Sequence, residues 1–108
     1  MAKKVQGHVP PESVAKNALK GLKMREEFGH GGTNIGLTRG HQLSNRKVVS
    51  DDIIKRMVSY FARHEVDKKA ENFGNEESPS KGYIAWLLWG GDEGRKWATK
   101  IKESLGDE

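Results

Sequence analysis

The most apolar stretch of the chain, Ile-Ala-Trp-Leu-Leu-Trp at residues 84–89, constrains the fold more than any other feature. Ser80 precedes this stretch as a typical helix N-cap, and the pair Gly90-Gly91 stops it. The pattern predicts a short helix without a polar face, which is typical of the centre of a small domain. Its two indoles, Trp86 and Trp89, each bring on the order of 150–250 Å² of surface to bury.

Other apolar residues recur at helical spacing, and alternation typical of a strand is absent from the sequence. Gly21 lies inside the first of these segments and indicates a close crossing with another helix. Thr33 or Asn34 is expected to cap a short helix with Ile35 facing the core, and Ser50 is expected to cap a longer one. The sequence therefore predicts an all-α fold, a compact bundle of about five short helices. These helices are expected over about 11–27, 37–43, 51–66, 81–89 and 93–105, and Asp92 is expected to cap the last one.

The segments between and outside these helices differ from them in composition. Residues 1–10 are expected to form a flexible basic arm, residues 11–105 a single helical domain, and residues 106–108 a tail. A glycine-rich loop is predicted over 28–36 and a mobile acidic loop over 67–79, with Phe73 as its anchor. Only 22 of the 108 residues are Leu, Ile, Val or Phe, so the core must be small and concentrated in the helices.

Length and composition exclude several classes of protein. A chain of 108 residues is long enough for one domain. Without cysteine it has neither a disulfide nor a thiolate metal site, and a small secreted protein usually needs one of these. No run approaches the roughly 20 apolar residues of a membrane span, and the first residues lack the apolar core of a signal peptide. We therefore expect an intracellular protein with no membrane partner.

The motifs that would indicate an enzyme are incomplete. Residues 31–38 match the spacing of a phosphate-binding P-loop, but Leu37 stands where that motif needs its lysine. His64 and Asp67 share one face at a helix end, yet no His-x-x-x-His pair stands in the sequence to supply further metal ligands. We therefore expect a non-enzymatic protein that has no catalytic residue, no metal and no cofactor.

The glycine-rich loop has a structural and a functional interpretation. Gly31, Gly32 and Thr33 either let the chain turn and pack closely, or contact a partner through backbone N–H groups ahead of a helix.

The positive charge of the chain is concentrated in its N-terminal half. Residues 1–50 carry nine Lys and Arg against three Glu, whereas residues 51–108 carry ten against twelve acidic residues. Such asymmetry is typical of a surface that meets nucleic acid or another polyanion, although the same residues also serve as ordinary solvated charges. Two carboxylates, Asp51 and Asp52, count against base recognition by the helix that they begin. The predicted nucleic-acid-binding residues are Lys16, Lys20, Lys23, Arg39, Arg46 and Lys47.

A second hypothesis has a protein as the partner. The tryptophan-rich helix pair and the glycine loop would then form an interaction or virion-assembly module. Exposure of Trp86 or Trp89 would favour this alternative, because exposed aromatic patches mark partner surfaces.

Three motifs together cover most of residues 14–98: Gly31-Gly32-Thr33 with Gly36, RMxSYFxRHExDK at residues 56–68, and IAWxxWGGxxGxxWA at residues 84–98. In these motifs the chain resembles a small helical domain that recurs in tailed-phage and prophage proteins. That family is associated with phage head or DNA-associated polypeptides, and no settled activity belongs to it. The resemblance implies a phage-encoded accessory protein, located in the host cytoplasm or the virion, whose partner is nucleic acid or a phage or host protein.

Overall fold

Five α-helices dominate the computed structural model of the protein, which describes residues 7–105. They pack into one helical bundle, so the all-α fold class expected from the sequence is confirmed. No helix among residues 7–105 is long and apolar enough to cross a lipid bilayer. In chain order the elements are β1 (Gly7–His8), α1 (Glu12–Phe28), α2 (Asn34–Ser44), β2 (Val49–Ser50), α3 (Asp51–His64), a 3-10 helix (Glu65–Lys69), α4 (Lys81–Leu88) and α5 (Gly91–Leu105).

Helix α4 lies at the centre of the bundle, as its apolar sequence indicates. Ile84, Trp86 and Leu88 are buried, and α4 packs against α1, α2 and α5. Gly21 of α1 permits a close approach, because a Cβ atom at this position would lie 2.8 Å from the backbone nitrogen of Leu88. The helix crossing predicted at Gly21 is therefore confirmed.

Hydroxyl N-caps fix the starts of three helices. Their side-chain oxygens accept backbone N–H groups three residues further on: Thr33 from Gly36, Ser50 from Ile53, and Ser80 from Tyr83. Because Thr33 is the cap, α2 begins at Asn34, earlier than predicted, and Ile35 is 60% exposed instead of facing the core. Helix α3 ends at His64 and continues as the 3-10 helix. Helix α5 begins at Gly91, so Asp92 lies in its first turn and not at the cap position that the sequence predicted.

The described part of the expected N-terminal arm is attached to the bundle. Gly7–His8 pairs antiparallel with Val49–Ser50, an element that the sequence analysis missed because two-residue strands show no alternation. His8 Nε2 lies 2.6 Å from Asp51 Oδ1, and Arg46 Nε donates to the carbonyl of the buried Pro10 at 2.8 Å. Gly7, His8 and Pro10 are thus bonded to the rest of the bundle. Residues 1–6 of the arm and the tail at 106–108 lie outside the described residues.

The acidic segment before α4 is held by two kinds of contact. Phe73 packs edge-on against Tyr83, with ring centroids 5.1 Å apart, so its expected role as an anchor is confirmed. Glu76 Oε2 accepts hydrogen bonds from Lys20 Nζ at 2.6 Å and from the Tyr83 hydroxyl at 2.9 Å. The bond between Lys20 and Glu76 raises the pKa of the lysine and lowers the pKa of the carboxyl group.

Candidate nucleic-acid interface

A groove of about 860 Å³ runs between the start of α2, the polar face of α3 and the first turns of α4. We call it the α3 groove. Five basic side chains and His64 line it against two carboxylates, an excess of three positive charges when the histidine is neutral. The basic residues are Arg39, Lys55, Arg56, Arg63 and Lys81, and the carboxylates belong to Asp52 and Asp67.

Helix α3 supplies one wall of the groove because it is amphipathic. Its buried face carries residues such as Ile54 and Phe61, which pack in the core. On the opposite face Lys55, Ser59 and Arg63 follow one another at intervals of four residues, so they form a stripe along the groove. Lys55 and Arg63 lie about 12 Å apart along the helix axis, at 1.5 Å per residue.

Stacked side chains from α2, α3 and the end of α4 support the groove. The Tyr60 ring stacks on the Trp89 indole with centroids 4.5 Å apart and an interplanar angle of 5°. The His64 ring stacks on Tyr60 at 4.5 Å, and the Arg39 guanidinium carbon lies 5.0 Å from the centre of the Trp89 ring. Aromatic stacking and the cation–π contact hold these side chains in fixed positions relative to one another.

Two buried polar atoms of these stacked side chains have no hydrogen-bond partner among the described residues. They are Arg39 Nε and the Tyr60 hydroxyl oxygen. Burial raises the pKa of Tyr60 well above its usual value, and the charge of Asp67 adds to this effect. Burial also lowers the pKa of Arg39, with a further contribution from Arg56. The Tyr60 hydroxyl consequently keeps its proton, and a guanidinium remains charged at neutral pH, so both groups are donors.

Both carboxylates of the groove are engaged by neighbouring cationic or ionisable side chains. Arg56 Nε donates to Asp52 Oδ2 at 3.3 Å, and His64 Nδ1 lies 3.2 Å from Asp67 Oδ2. Lys55, Arg63 and Lys81, in contrast, have no carboxylate within 4.0 Å in the described part of the chain. Their charges are therefore available to an anion that enters the groove.

The glycine loop has a clear structural role at the edge of the groove. Gly31 and Gly32 have φ angles of 104° and 81°, and a Cβ on either would lie 2.6 Å from a side-chain atom of α4. Gly32 and Thr33 line the groove, while Gly31 packs against Ile84. The interpretation of these glycines as a close-packed turn is therefore confirmed, and partner contact through the loop stays a prediction.

Only one of the six basic residues selected from the sequence lines the α3 groove. Arg39 lines the α3 groove, whereas Lys20 is bonded to Glu76 and Arg46 to the carbonyl of Pro10. Lys16 and Lys23 are exposed on α1, and Lys47 is exposed after α2; none of these three lines the groove.

Sequence reasoning missed four of the five basic residues of the groove, namely Lys55, Arg56, Arg63 and Lys81. The polar face of α3 was a signal that could have found three of them, Lys55, Arg56 and Arg63. The sequence analysis instead counted Asp51 and Asp52 against base recognition by that helix, and the structure places each of these carboxylates beside a partner, His8 and Arg56 respectively.

The described residues around this groove do not form a metal site. No group of three or more His, Asp or Glu side chains within residues 7–105 is arranged to hold a metal ion. Comparisons with protein-family models, with curated proteins and with solved structures found no match to this chain.

Proposed function

We propose that the protein binds nucleic acid and that the phosphate backbone lies in the α3 groove. The observation that carries this proposal is the set of unpaired cations, Lys55, Arg63 and Lys81, that faces one concave surface. Phosphate contacts by Lys and Arg supply essentially all of the free energy of sequence-independent binding.

The spread of the charges favours a polymer over a small anion. Lys55 and Arg63 lie about 12 Å apart along α3, so the positive charge is spread along the groove instead of being gathered around one point. A nucleic acid presents a phosphate at regular intervals along its backbone and satisfies both. Ser59 lies between the two cations on the same stripe, and serine hydroxyls are common donors to phosphate oxygens.

The composition of the groove favours nucleic acid over a protein partner. The alternative hypothesis relies on the tryptophan-rich helix pair, but Trp86 and Trp89 are 2% and 8% exposed and belong to the core. The groove wall offers one strongly exposed apolar side chain, Ile35. Protein interfaces are centred on apolar and aromatic residues and are depleted in lysine. The α3 groove is instead lined by five basic side chains.

The resemblance to a domain of tailed-phage proteins supports the same proposal. That family is associated with phage head or DNA-associated polypeptides, and a non-enzymatic accessory protein that holds DNA in the host cytoplasm or the virion fits the second of these settings. The expected contacts are to the phosphate backbone, and the carboxylate of Asp52 lines the groove at the start of α3, so we expect binding with little dependence on base sequence.

A charge-reversal comparison tests the proposal. The Lys55→Glu/Arg63→Glu variant removes two cations from the groove, and the Lys16→Glu/Lys23→Glu variant changes the net charge equally on the exposed face of α1. Binding of fluorescent single-stranded and duplex oligonucleotides is measured by anisotropy at several salt concentrations. We expect the groove variant to lose affinity and its salt slope to fall by about 1.4 for a single strand.

Two outcomes would contradict the proposal. Wild-type protein that binds no oligonucleotide at low salt, while it binds an acidic polypeptide, would favour the protein-partner hypothesis. Loss of binding in the α1 variant with full binding in the groove variant would move the contact surface to the basic face of α1.

A further inference from the structure

A second groove, of about 460 Å³, lies between the 3-10 helix and the outer face of α5. We call it the α5 groove. Four basic side chains line it, from Lys68, Arg95, Lys96 and Lys100, together with the carboxylates of Asp92 and Glu103. Thr99 stands among these cations and adds a hydroxyl donor.

The charges of the α5 groove fall into a paired and an unpaired set. Lys68 Nζ donates to Asp92 Oδ1 at 2.8 Å, and Arg95 pairs with Glu65 at 3.3 Å. Lys96 and Lys100 are exposed and have no carboxylate within 4.0 Å in the described ranges. They lie four residues apart on α5, so they are about 6 Å apart along its axis and face the same side.

The 3-10 helix separates this groove from the α3 groove. His64 and Asp67 line the α3 groove, and the next residue, Lys68, lines the α5 groove. Glu65 and Asp67 are the acidic residues of this ridge, and each already has a partner, Arg95 and His64. Paired carboxylates repel a passing phosphate backbone less than free ones.

We infer that the α5 groove is a second contact surface for the same nucleic acid, which straddles the 3-10 helix with phosphates in both grooves. This inference rests on the nucleic-acid binding proposed above. Lys96, Thr99 and Lys100 are the phosphate-contacting residues of the second surface. The phosphates in the α5 groove belong either to the continuing strand or to the second strand of a duplex, and the chemistry of recognition is the same for both.

Probes of different length separate the two surfaces. A single strand of about 5 nucleotides fills one groove, and probes of about 20 nucleotides, single-stranded or duplex, are long enough for both. The variant is Lys96→Glu/Lys100→Glu, and Lys16→Glu/Lys23→Glu is the control with the same change in net charge. Thermal unfolding of all three proteins verifies that these exposed substitutions leave the fold intact.

We expect the α5 variant to bind the short probe as the wild type does and to lose affinity for a long probe. For a single strand, two lost phosphate contacts lower the salt slope by about 1.4, which corresponds to about 25-fold in affinity at 0.1 M salt. For a duplex the slope falls by about 1.8, which corresponds to about 60-fold in affinity. Loss with the long single strand assigns the contacts to one continuing strand. Loss with the duplex alone assigns them to the second strand.

The inference is overturned if the α5 variant and the wild type bind long probes with equal affinity. It is also overturned if the α1 control loses as much affinity for long probes as the α5 variant does. Failure of the proposed function has a different signature, because the short probe then fails to bind the wild-type protein at all.

Discussion

Replacement of Tyr60 by phenylalanine should raise the free energy of unfolding, because it removes a buried hydroxyl that has no partner among the described residues. Tyr60 is 5% exposed, and a phenylalanine ring keeps both the stack on Trp89 at 4.5 Å and the edge contact with Phe61 at 5.3 Å. An unpaired buried hydroxyl costs about 1–3 kcal/mol. A gain of about 1 kcal/mol raises the melting temperature of a domain of this size by about 4–8 °C.

Urea unfolding followed by tryptophan fluorescence measures this change. Tyr83→Phe is the matched control, since it deletes the same atom where the hydroxyl donates to Glu76 Oε2 at 2.9 Å. That control should lose about 0.5–1.5 kcal/mol. A Tyr60→Phe protein that is less stable than the wild type by about 1 kcal/mol or more would refute the reasoning, because the hydroxyl must then have a partner.

Two further substitutions test the packing and the electrostatics of the bundle. Gly21→Ala should lower the free energy of unfolding by about 1–3 kcal/mol, because the new Cβ meets the backbone of Leu88; unchanged stability in urea unfolding would contradict the close crossing. Partial burial raises the pKa of Asp92, but hydrogen bonds from Lys68 and Trp86 outweigh this effect and lower the pKa overall. A lowered folded-state pKa stabilises the fold above the unfolded value of about 3.9, and this contribution is lost as the pH falls. The Asp92→Asn protein should therefore have a lower melting temperature than the wild type at about pH 7, and the difference should become smaller by about pH 2. Thermal unfolding followed by circular dichroism measures both values. A difference in melting temperature that does not change with pH would contradict the lowered pKa of Asp92.

The helices of this protein could be predicted because their signals are local in the sequence. Ser50 and Ser80 each precede an apolar periodic segment and cap it in the structure. The pairing of Gly7–His8 with Val49–Ser50 could not be predicted, since it joins residues about 40 positions apart and each strand is too short for a pattern. Ile35 was predicted to face the core but is exposed, because α2 begins about one turn before the predicted start.

The groove could be predicted only in part, because three helices build it. Arg39 was selected as an exposed cation, but its position on α2 turns it toward Trp89, and it is 7% exposed. The helical spacing of Lys55 and Arg63 was visible in the sequence. Whether these cations favour phosphate binding, however, depends on whether the nearby carboxylates are already paired with other side chains. Asp51 is engaged by His8, which is 43 residues away, and a sequence does not reveal such a partner.

The salt dependence of binding to a short single strand tests the central claim most directly. Lys55, Arg63 and Lys81 are the unpaired exposed cations of the α3 groove within residues 7–105. Three phosphate contacts correspond to a slope of about −2.1 in a plot of log K against log salt, and the Lys55→Glu/Arg63→Glu variant should retain about −0.7. Equal slopes for the two proteins, or a wild-type slope near zero, would contradict binding of the phosphate backbone in this groove.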